Sequence, residues 1–397
     1  MYRVSRRGQK VERTEGHRPG SQSALHTANR RRIVELLQSA GEMTQAQISR
    51  ASGLAPATVS NITRELMFEG VLIASDPGAG RRRLRMARSA GLVAGIDFGH
   101  RHVTVAIADM AHEILAEHRS DLEMGIPASE ALACAALLLE QGLAELGVDR
   151  SSIRAAGMGL PAPIDNRTGE VGALSVLPGW VGVDPAKLAS EQLKLPVEVD
   201  NDANLGVLAE HLWGAGAGFD NLAFLKLSDG VGAGLVLNGA LFHGRDGTAG
   251  EIGHTMMEET GAVCRCGNRG CLETMAAARS VTDLLEPRFG PGLTIQDVVG
   301  KAIDGDTACA RILSDVGRHA GVALANLCNL FNPERILIGG ELAQAGELLL
   351  VPMREAVCRG GIPSSTDGLE ILPSGLGARG PILGAIALAL RRAPSAV

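Results

Sequence analysis

The stretch Gly250-Glu251-Ile252-Gly253-His254, followed by Cys264-Arg265-Cys266-Gly267-Asn268-Arg269-Gly270-Cys271-Leu272-Glu273, carries the most specific pattern in this chain. Thiolate and imidazole groups are ligands of tetrahedral Zn²⁺, and three cysteines with one histidine are typical of a closed structural site. Glycines between the cysteines allow the tight turns that such a site needs. The pattern therefore predicts one structural Zn²⁺, with a loop of free thiols as the alternative; the predicted ligands are His254, Cys264, Cys266 and Cys271.

The same stretch resembles the signature of the ROK family, a name that stands for repressors, open reading frames and sugar kinases. The resemblance rests on Gly250-Glu251-x-Gly253-His254 and on the Cys-x-Cys-Gly-x-x-Gly-Cys-x-Glu run that ends at Glu273, and it extends over about residues 27–392. It implies a two-lobed actin-like ATPase/sugar kinase fold with a ligand cleft between the lobes. The question is then whether the chain is a kinase or a sugar-sensing regulator that has kept the kinase body.

The charge of the chain is unevenly distributed. Residues 1–91 contain 16 Lys and Arg against 7 Asp and Glu, whereas the remaining residues contain 22 against 37. A basic head on an acidic body indicates a nucleic-acid-binding domain joined to a domain of another function.

Length and composition restrict the class of protein. A chain of 397 residues suits two or three domains. No apolar run reaches the length of a membrane span, and the Arg-rich N-terminus lacks the apolar core of a secretory signal. Seven cysteines, three of them clustered, favour the reducing cytoplasm as the location. The other four, Cys134, Cys309, Cys328 and Cys358, are predicted to be small core residues.

The basic head has the pattern of a winged helix-turn-helix domain over residues 27–88, preceded by a polar segment, 1–26, that is predicted to be disordered. Apolar spacing predicts a first helix from Thr27 to about Gly41. Thr44 is a candidate N-cap for a second helix through Ser52. After a turn at Gly53, a third helix is predicted over 56–68, which completes the helix-turn-helix motif.

The pattern over residues 27–88 also predicts a wing and a helix face that contacts DNA. Val71-Leu72-Ile73 reads as a strand, 76–80 as a turn and 81–85 as a basic strand. On the third helix, the residues expected to be exposed are Ala57, Thr58, Ser60, Asn61, Thr63 and Arg64. Short polar and basic groups suit base edges and phosphates. The residues predicted to bind DNA are Thr58, Ser60, Asn61, Arg64, Arg81, Arg82 and Arg83, whereas the alternative is a protein-interaction module with a solvated arginine run.

The acidic body has an α/β pattern. Strands are predicted at 92–99, 103–109, 153–159 and 335–338, with long helices at 128–146 and 382–390. With a linker at 89–91, the expected division is a first lobe over 92–198 and a second lobe over 199–379 that carries the zinc loop. The C-terminal helix, 380–392, is expected to pack back on the first lobe.

Two loops depart from the kinase pattern that the resemblance implies. Kinases of the family carry Asp-x-Gly-Gly-Thr after the first strand, and here Asp97-Phe98-Gly99 is followed by His100-Arg101. The second phosphate loop retains its glycines, but Asp229 stands where a hydroxyl would meet a phosphate. Two like charges a few ångströms apart repel by roughly 1–4 kcal/mol. We therefore expect that the protein is not an enzyme and that any ATP-dependent sugar phosphorylation is negligible, with residual kinase activity left open.

The sugar side of the family pattern is intact, since Asn201-Asp202-x-Asn204 matches its segment at a strand end. In the kinases, the residue at the position of Asp202 is the general base, and in a non-enzyme it can accept hydrogen bonds from the sugar. His254 can ligate zinc through one ring nitrogen and donate to the sugar through the other. Val176 replaces a polar residue of many members, and Trp180 is either a lobe-packing residue or part of the rim. By resemblance, the sugar pocket is lined by Asn201, Asp202, Glu251, His254 and Glu273.

The sequence therefore predicts a sugar-responsive DNA-binding transcriptional regulator, specifically a repressor. Its expected partners are operator DNA, a monosaccharide or sugar-phosphate effector and further copies of itself, as a homodimer or homotetramer. One alternative is an ATP-dependent sugar kinase with an added DNA-binding head, which Asp202 and the retained glycines favour. Another is a regulator that responds to a protein partner and no longer binds sugar.

Overall fold

The computed structural model describes residues 22–75, 82–87, 90–172 and 177–393. Most of the segment predicted to be disordered, the predicted wing turn, Arg81 and Val176 lie outside these residues. Across the described residues, the fold is α/β, with a small helical head and two five-stranded sheets. Among the described helices, none combines the length and the apolar composition needed to span a bilayer.

The head consists of three helices and a three-stranded antiparallel sheet. The third helix and the N-cap of the second were predicted correctly, since Thr44 forms a capping box with Gln47. The sheet has the order β1-β3-β2, and β1 was not predicted. The elements are α1 (Gln22–Ala40), β1 (Glu42–Thr44), α2 (Gln45–Ser52), α3 (Pro56–Phe68), β2 (Leu72–Ser75) and β3 (Arg83–Met86).

Helix α1 begins at Gln22 and not at Thr27 as predicted. The prediction of disorder over 1–26 was therefore wrong for residues 22–26. Polar contacts hold this first part of the helix against α3. His26 Nε2 lies 3.1 Å from Glu65 Oε2, and Arg30 Nη1 donates to Glu69 Oε1 at 2.9 Å. Because ion pairs and not apolar residues anchor this turn, hydrophobic spacing gave no signal for it.

The first lobe of the body is a five-stranded sheet of order β6-β5-β4-β7-β8, in which β4 pairs antiparallel with β5 and parallel with β7. Helix α4 has the predicted bounds. The elements are β4 (Leu92–Phe98), β5 (His102–Asp109), β6 (Ile114–Asp121), α4 (Ala128–Leu146), β7 (Ile153–Leu160), α5 (Pro185–Leu193) and β8 (Val197–Asn201), with 3-10 turns at Arg150–Ser152 and Pro178–Trp180.

The second lobe has its own sheet, of order β11-β10-β9-β12-β13, and a helical layer in which the long α10 packs along α11. The elements are β9 (Leu222–Leu227), β10 (Val231–Leu237), β11 (Ala240–Leu241), α7 (Glu273–Ala276), α8 (Ala278–Phe289), α9 (Ile295–Ile303), α10 (Thr307–Phe331), β12 (Arg335–Gly339), α11 (Glu347–Gly360), α12 (Pro363–Thr366) and β13 (Glu370–Pro373), with 3-10 turns at Ile252–His254, Glu341–Ala345 and Gly377–Arg379.

Two helices join the lobes. Helix α6 (Asp202–Trp213) packs against β9 and β10 of the second lobe and against α13 (Gly380–Arg392), which in turn packs on β4 and β7 of the first. Their approach is close, since a Cβ on Gly384 would lie 2.1 Å from the carbonyl oxygen of Leu205. Strand β8 continues to Asn201, so the sheet of the first lobe extends three residues past the predicted boundary at 198.

The head is packed onto the body. One hydrophobic cluster joins head residues such as Ile33 and Leu37 to Ile386 of α13 and includes Ala90, in the segment predicted to be a linker. The ring of His112 stacks on Trp213 at the end of α6, with a centroid distance of 4.3 Å. Its Nδ1 lies 3.2 Å from the carbonyl oxygen of Gln38 in α1. Helix α6 therefore extends from the end of β8 to the head.

The cysteines outside the predicted zinc loop differ in environment. Cys309 and Cys328 are buried on α10, as predicted, and Cys134 is partly buried. The prediction of a core position was wrong for Cys358, which is exposed on α11. That position lies in the last turn of the helix, where apolar neighbours in sequence do not imply a buried face.

Candidate functional site

A histidine and three cysteines meet at one point on the second lobe. His254 ends the short helical turn Ile252–His254, and the cysteines lie on the loop that precedes α7. The loop folds tightly, since Cys271 pairs with Met256 across an isolated bridge. Gly270, with φ of 62°, passes so close to Glu258 that a Cβ would lie 1.6 Å from its carbonyl oxygen. Only glycine fits at that turn.

The four side chains have the dimensions of a metal site. Their donor atoms all lie within 4.8 Å of one another. The Cys264 Sγ to His254 Nδ1 distance and the Cys266 Sγ to Cys271 Sγ distance are both 3.6 Å. Ligands about 2.0–2.3 Å from a tetrahedral ion are about 3.5–3.8 Å apart. Two of the donor pairs thus have the spacing of a tetrahedral site, and the cluster could bind one metal ion.

The residues beside the cluster form a second layer of charged contacts. Arg265 donates to both carboxylate oxygens of Glu273, at 2.6 and 2.7 Å, and the backbone N–H of Val231 also donates to Glu273 at 3.2 Å. On the other side, His254 Nε2 lies 3.7 Å from Glu251 Oε2, which is too long for a direct hydrogen bond. A small hydroxyl group could bridge these two atoms.

At the start of α6, Asp202 forms a buried ion pair with Lys226 of β9. Lys226 Nζ donates to Asp202 Oδ2 at 2.5 Å, and the aspartate is only 4% exposed. Burial disfavours the ammonium, but the charges of Asp202 and Asp97 outweigh it, so the pKa of Lys226 is raised. The preceding Asn201 caps the helix, since its Oδ1 accepts from Ala203 N at 2.9 Å and its Nδ2 donates to the carbonyl of Ala162 at 3.3 Å.

Asp97 and His100, at the first loop that departs from the kinase pattern, both interact electrostatically with this ion pair. Burial raises the pKa of Asp97 to about 6, although the Lys226 charge acts in the opposite direction. Burial also lowers the pKa of His100, although the nearby Asp229 acts in the opposite direction. Within the described part of the chain, neither Asp97 Oδ1 nor His100 Nε2 has a hydrogen-bond partner. Two polar atoms are thus buried in this region without a protein contact.

The residues predicted to bind sugar differ in whether their side chains already hydrogen-bond to other protein groups. The charges of Glu273 and Asp202 both act on the pKa of Glu251, which burial raises. Asn201 and Glu273 already bond to protein groups, whereas His254 Nε2 and Glu251 face each other across a gap. Trp180 is 1% exposed and packs edge-on against Phe98 at 5.1 Å, so it is a packing residue and does not form the rim.

Sequence reasoning missed Lys226, Arg265 and His100 as members of this site. A lone lysine in the apolar strand Leu222–Leu227 was a usable signal, since a buried lysine requires a partner. For Arg265 the signal was weaker, because an arginine between two cysteines predicted to ligate metal has no spacing that predicts its partner Glu273. His100 was interpreted only as a replacement that removes the phosphate-binding Gly of the kinase loop, and not as a residue of the site.

The structure groups most of the predicted DNA-binding residues on the head. Asn61 and Arg64 are exposed on α3, and Thr58 and Ser60 are partly buried there. Arg82 and Arg83 are exposed at the wing strand β3. The expectation that Thr63 is exposed was wrong, because it is 0% exposed and its hydroxyl accepts from Gln45 Nε2 at 2.9 Å. This contact fastens α2 to α3.

Known proteins resemble both the head and the body. Residues 27–73 match the winged helix-turn-helix DNA-binding family. The xylose repressor of Caldicellulosiruptor bescii is 29% identical over 94% of this chain and 97% of its own length. The glucokinase of Halalkalibacterium halodurans is 37% identical, over 59% of this chain and 76% of its own length.

A solved structure extends the resemblance to both parts of the fold. The crystal structure of a ROK family transcriptional regulator, described as a homolog of the E. coli MLC protein, is 27% identical. It superposes with a TM-score of 0.76 over 93% of this chain and 96% of its own. Residues 93–392 match the ROK family. The chain therefore belongs to the ROK family and carries a winged helix-turn-helix DNA-binding domain ahead of the ROK body.

Proposed function

We propose that this protein is a sugar-responsive transcriptional regulator that represses genes by binding operator DNA. The observation that carries this proposal is the union of a winged helix-turn-helix head with a sugar-kinase-like body in one chain. The xylose repressor matches 94% of the chain, including the head, whereas the glucokinase matches 59%. A regulator of this kind acts where its operator is, in the cytoplasm.

The proposed effector pocket is the cleft beside Asp202. Asp202, Glu251 and His254 would bind the sugar directly, because Asp202 bonds to Lys226 through Oδ2 and because His254 Nε2 and Glu251 Oε2 lie too far apart to bond to each other. Asn201 and Glu273 would position them, since their side chains already bond to the backbone and to Arg265. Each sugar hydroxyl left unmet in such a site would cost about 1–3 kcal/mol, so a ring of donors and acceptors selects one sugar.

For the four-residue cluster, we propose Zn²⁺ in a structural role. Three thiolates and an imidazole are a closed tetrahedral set that leaves no open coordination position for catalysis. With Nδ1 of His254 on the metal, its Nε2 would face Glu251 and the sugar. The metal would then fix the tautomer and the ring orientation of a sugar-binding residue.

The two loops that depart from the kinase pattern argue against phosphoryl transfer, so we propose that the protein is not an enzyme. His100 and Asp229 lie where the kinase pattern has small or hydroxyl residues, and the Asp229 carboxylate would repel a bound phosphate. We expect a coupled assay with ATP and a panel of sugars to show turnover far below about 1 s⁻¹, the lower range of kinases. Turnover at that rate or above would favour the alternative, a sugar kinase with an added head.

The proposed DNA contacts are the exposed face of α3 for bases and the wing strand for phosphates. Two heads would have to meet successive major grooves, so we propose a homodimer or homotetramer. Direct base contacts set discrimination between sequences, whereas phosphate contacts add affinity for any sequence.

Substitutions on the head should separate these two roles. Asn61→Ala is expected to reduce the preference for operator over random DNA by about 5- to 100-fold, with little loss of affinity for random DNA. Arg82→Ala should weaken binding to both and lower the salt slope by about one. Fluorescence anisotropy at several salt concentrations measures both quantities. If each variant bound both DNAs as the parent does, the DNA-binding face would have to be reassigned.

Helix α6 supports a route from sugar to DNA. It begins at Asp202 in the proposed pocket and ends at Trp213, which stacks on His112 beside the first helix of the head. Nine of its twelve residues are buried, so the helix can move only together with its neighbours. A sugar that binds two arrangements of the lobes with different affinity would therefore also shift the head.

A further inference from the structure

The proposed sugar cleft carries an excess of negative charge. The pKa values of Asp97, His100, Glu251 and Glu341 depend on the charges of an overlapping set of nearby residues. These residues form one network of interacting charges in the cleft. Within the described part of the chain, that network contains six carboxylates and three cations. The carboxylates belong to Asp97, Asp202, Asp229, Glu251, Glu273 and Glu341, and the cations to Arg119, Lys226 and Arg265.

Two of the three cations are already committed to carboxylates. Lys226 holds Asp202 at 2.5 Å, and Arg265 holds both oxygens of Glu273. The third, Arg119, is exposed on β6, and its charge acts on Asp97 and Glu341, which are both acids. A phosphate group entering the cleft would have to compete with a carboxylate for Lys226 and for Arg265.

The remaining acids of the network, Asp97, Asp229 and Glu341, interact electrostatically with the same groups. The charge of Lys226 acts on the pKa of Asp97 and of Glu341, and the charge of Asp229 acts on the pKa of His100 and of Glu341. A zinc ion with three thiolates and an imidazole would add a further net charge of about −1 beside Glu273. A sugar phosphate carries about −1.5 to −2 at neutral pH, so the excess of negative charge would disfavour its binding.

The unpartnered atoms in this region suit a hydroxyl group. His100 Nε2 and Asp97 Oδ1 are buried and lack a protein partner among the described residues. Because burial keeps the imidazole of His100 neutral, it offers one donor and one acceptor, and a hydroxyl can satisfy either. A buried polar atom left unpaired is costly, which makes a ligand hydroxyl a favourable partner.

We infer that the effector is an uncharged sugar, that His100 binds one of its hydroxyl groups, and that the cleft excludes phosphorylated sugars. The inference rests on the proposed function and assigns the ligand class of the same site. The loop that in kinases faces ATP phosphates would here serve the effector itself. His100 and Asp229 then form part of the sugar pocket, because no nucleotide has to be accommodated.

Calorimetry on the full chain tests the ligand class directly. The panel consists of neutral pentoses, hexoses and N-acetylhexosamines, each paired with its own phosphate ester. We expect at least one neutral sugar to bind and its phosphate to bind at least about 100-fold more weakly. A phosphate ester that binds as tightly as its neutral sugar would overturn the inference and leave the proposed regulator intact. Absence of binding by every member would overturn both, and would favour a regulator that responds to a protein partner.

Two substitutions test the residues. His100→Ala should weaken binding of the neutral sugar about tenfold or more, and His100→Gln, which keeps a donor and an acceptor, should recover part of the loss. Asp229→Asn should reduce the ratio between neutral-sugar and phosphate-ester affinity about 5- to 10-fold, because it removes one of the carboxylates that repel a phosphate. Circular dichroism and operator binding confirm that each variant is folded. Parent-like sugar affinity in both His100 variants would remove His100 from the pocket.

Discussion

Replacing Cys266 with serine is expected to abolish stoichiometric zinc binding and to lower the unfolding temperature by about 5–10 °C. Cys266 Sγ lies 3.6 Å from Cys271 Sγ, and both belong to the four-residue cluster. A serine hydroxyl is a far poorer zinc ligand than a thiolate, and metal binding contributes to the folding free energy of the loop. Because this loop holds Arg265 and leads to Glu273, sugar affinity should fall as well.

Elemental analysis and thermal unfolding of the purified protein measure both effects. Cys358→Ser is the matched control, since Cys358 is exposed on α11 and lies outside the cluster. The control should retain one zinc per chain and the parent unfolding temperature. A parent protein without zinc, or a Cys266→Ser variant with its full complement, would contradict the metal assignment.

Replacing Asp202 with asparagine should abolish the response to sugar while operator binding persists. The substitution removes the charged acceptor at the start of α6 and should weaken sugar binding about 100-fold. Asparagine keeps the shape of the side chain and can still accept from Lys226. Alanine would be a poorer choice, because an unpaired buried ammonium destabilises a protein by about 3–5 kcal/mol.

Two controls separate a lost contact from a damaged fold. Asp304→Asn changes an exposed carboxylate after α9 and should behave as the parent. The double variant Asp202→Asn, Lys226→Met removes the buried charge pair as a unit, so it should fold yet remain unresponsive. If Asp202→Asn released the operator at the same sugar concentration as the parent, Asp202 would not belong to the effector site.

The parts of the fold with strong local signals could be predicted from the sequence. Helix α3 and helix α4 have the expected bounds because apolar periodicity, a proline near one start and a glycine at one end all agree. The meeting of His254 with the three cysteines could be predicted because these residues are close in sequence. That the phosphate loops are altered stays a prediction, made from short contiguous segments.

The rest depended on contacts that sequence spacing does not encode. Ion pairs between α1 and α3 extend the first helix to Gln22, and the edge strand β1 exists only because β3 lies beside it. Lys226 and Asp202 are 24 residues apart, and only the packing of β9 against α6 brings them together. Long-range polar pairs of this kind decide which site residues are free to bind a ligand.

The most direct test of a sugar-controlled repressor is an operator titration of the parent protein with and without its neutral sugar. Coupling between two binding sites is typically about 1–3 kcal/mol, so we expect the operator dissociation constant to change about 5- to 150-fold at saturating sugar. The same sugar should bind about 5- to 150-fold differently to the operator complex, because the coupling is reciprocal. A protein that binds the sugar tightly and shows the same operator affinity in both conditions would contradict this function.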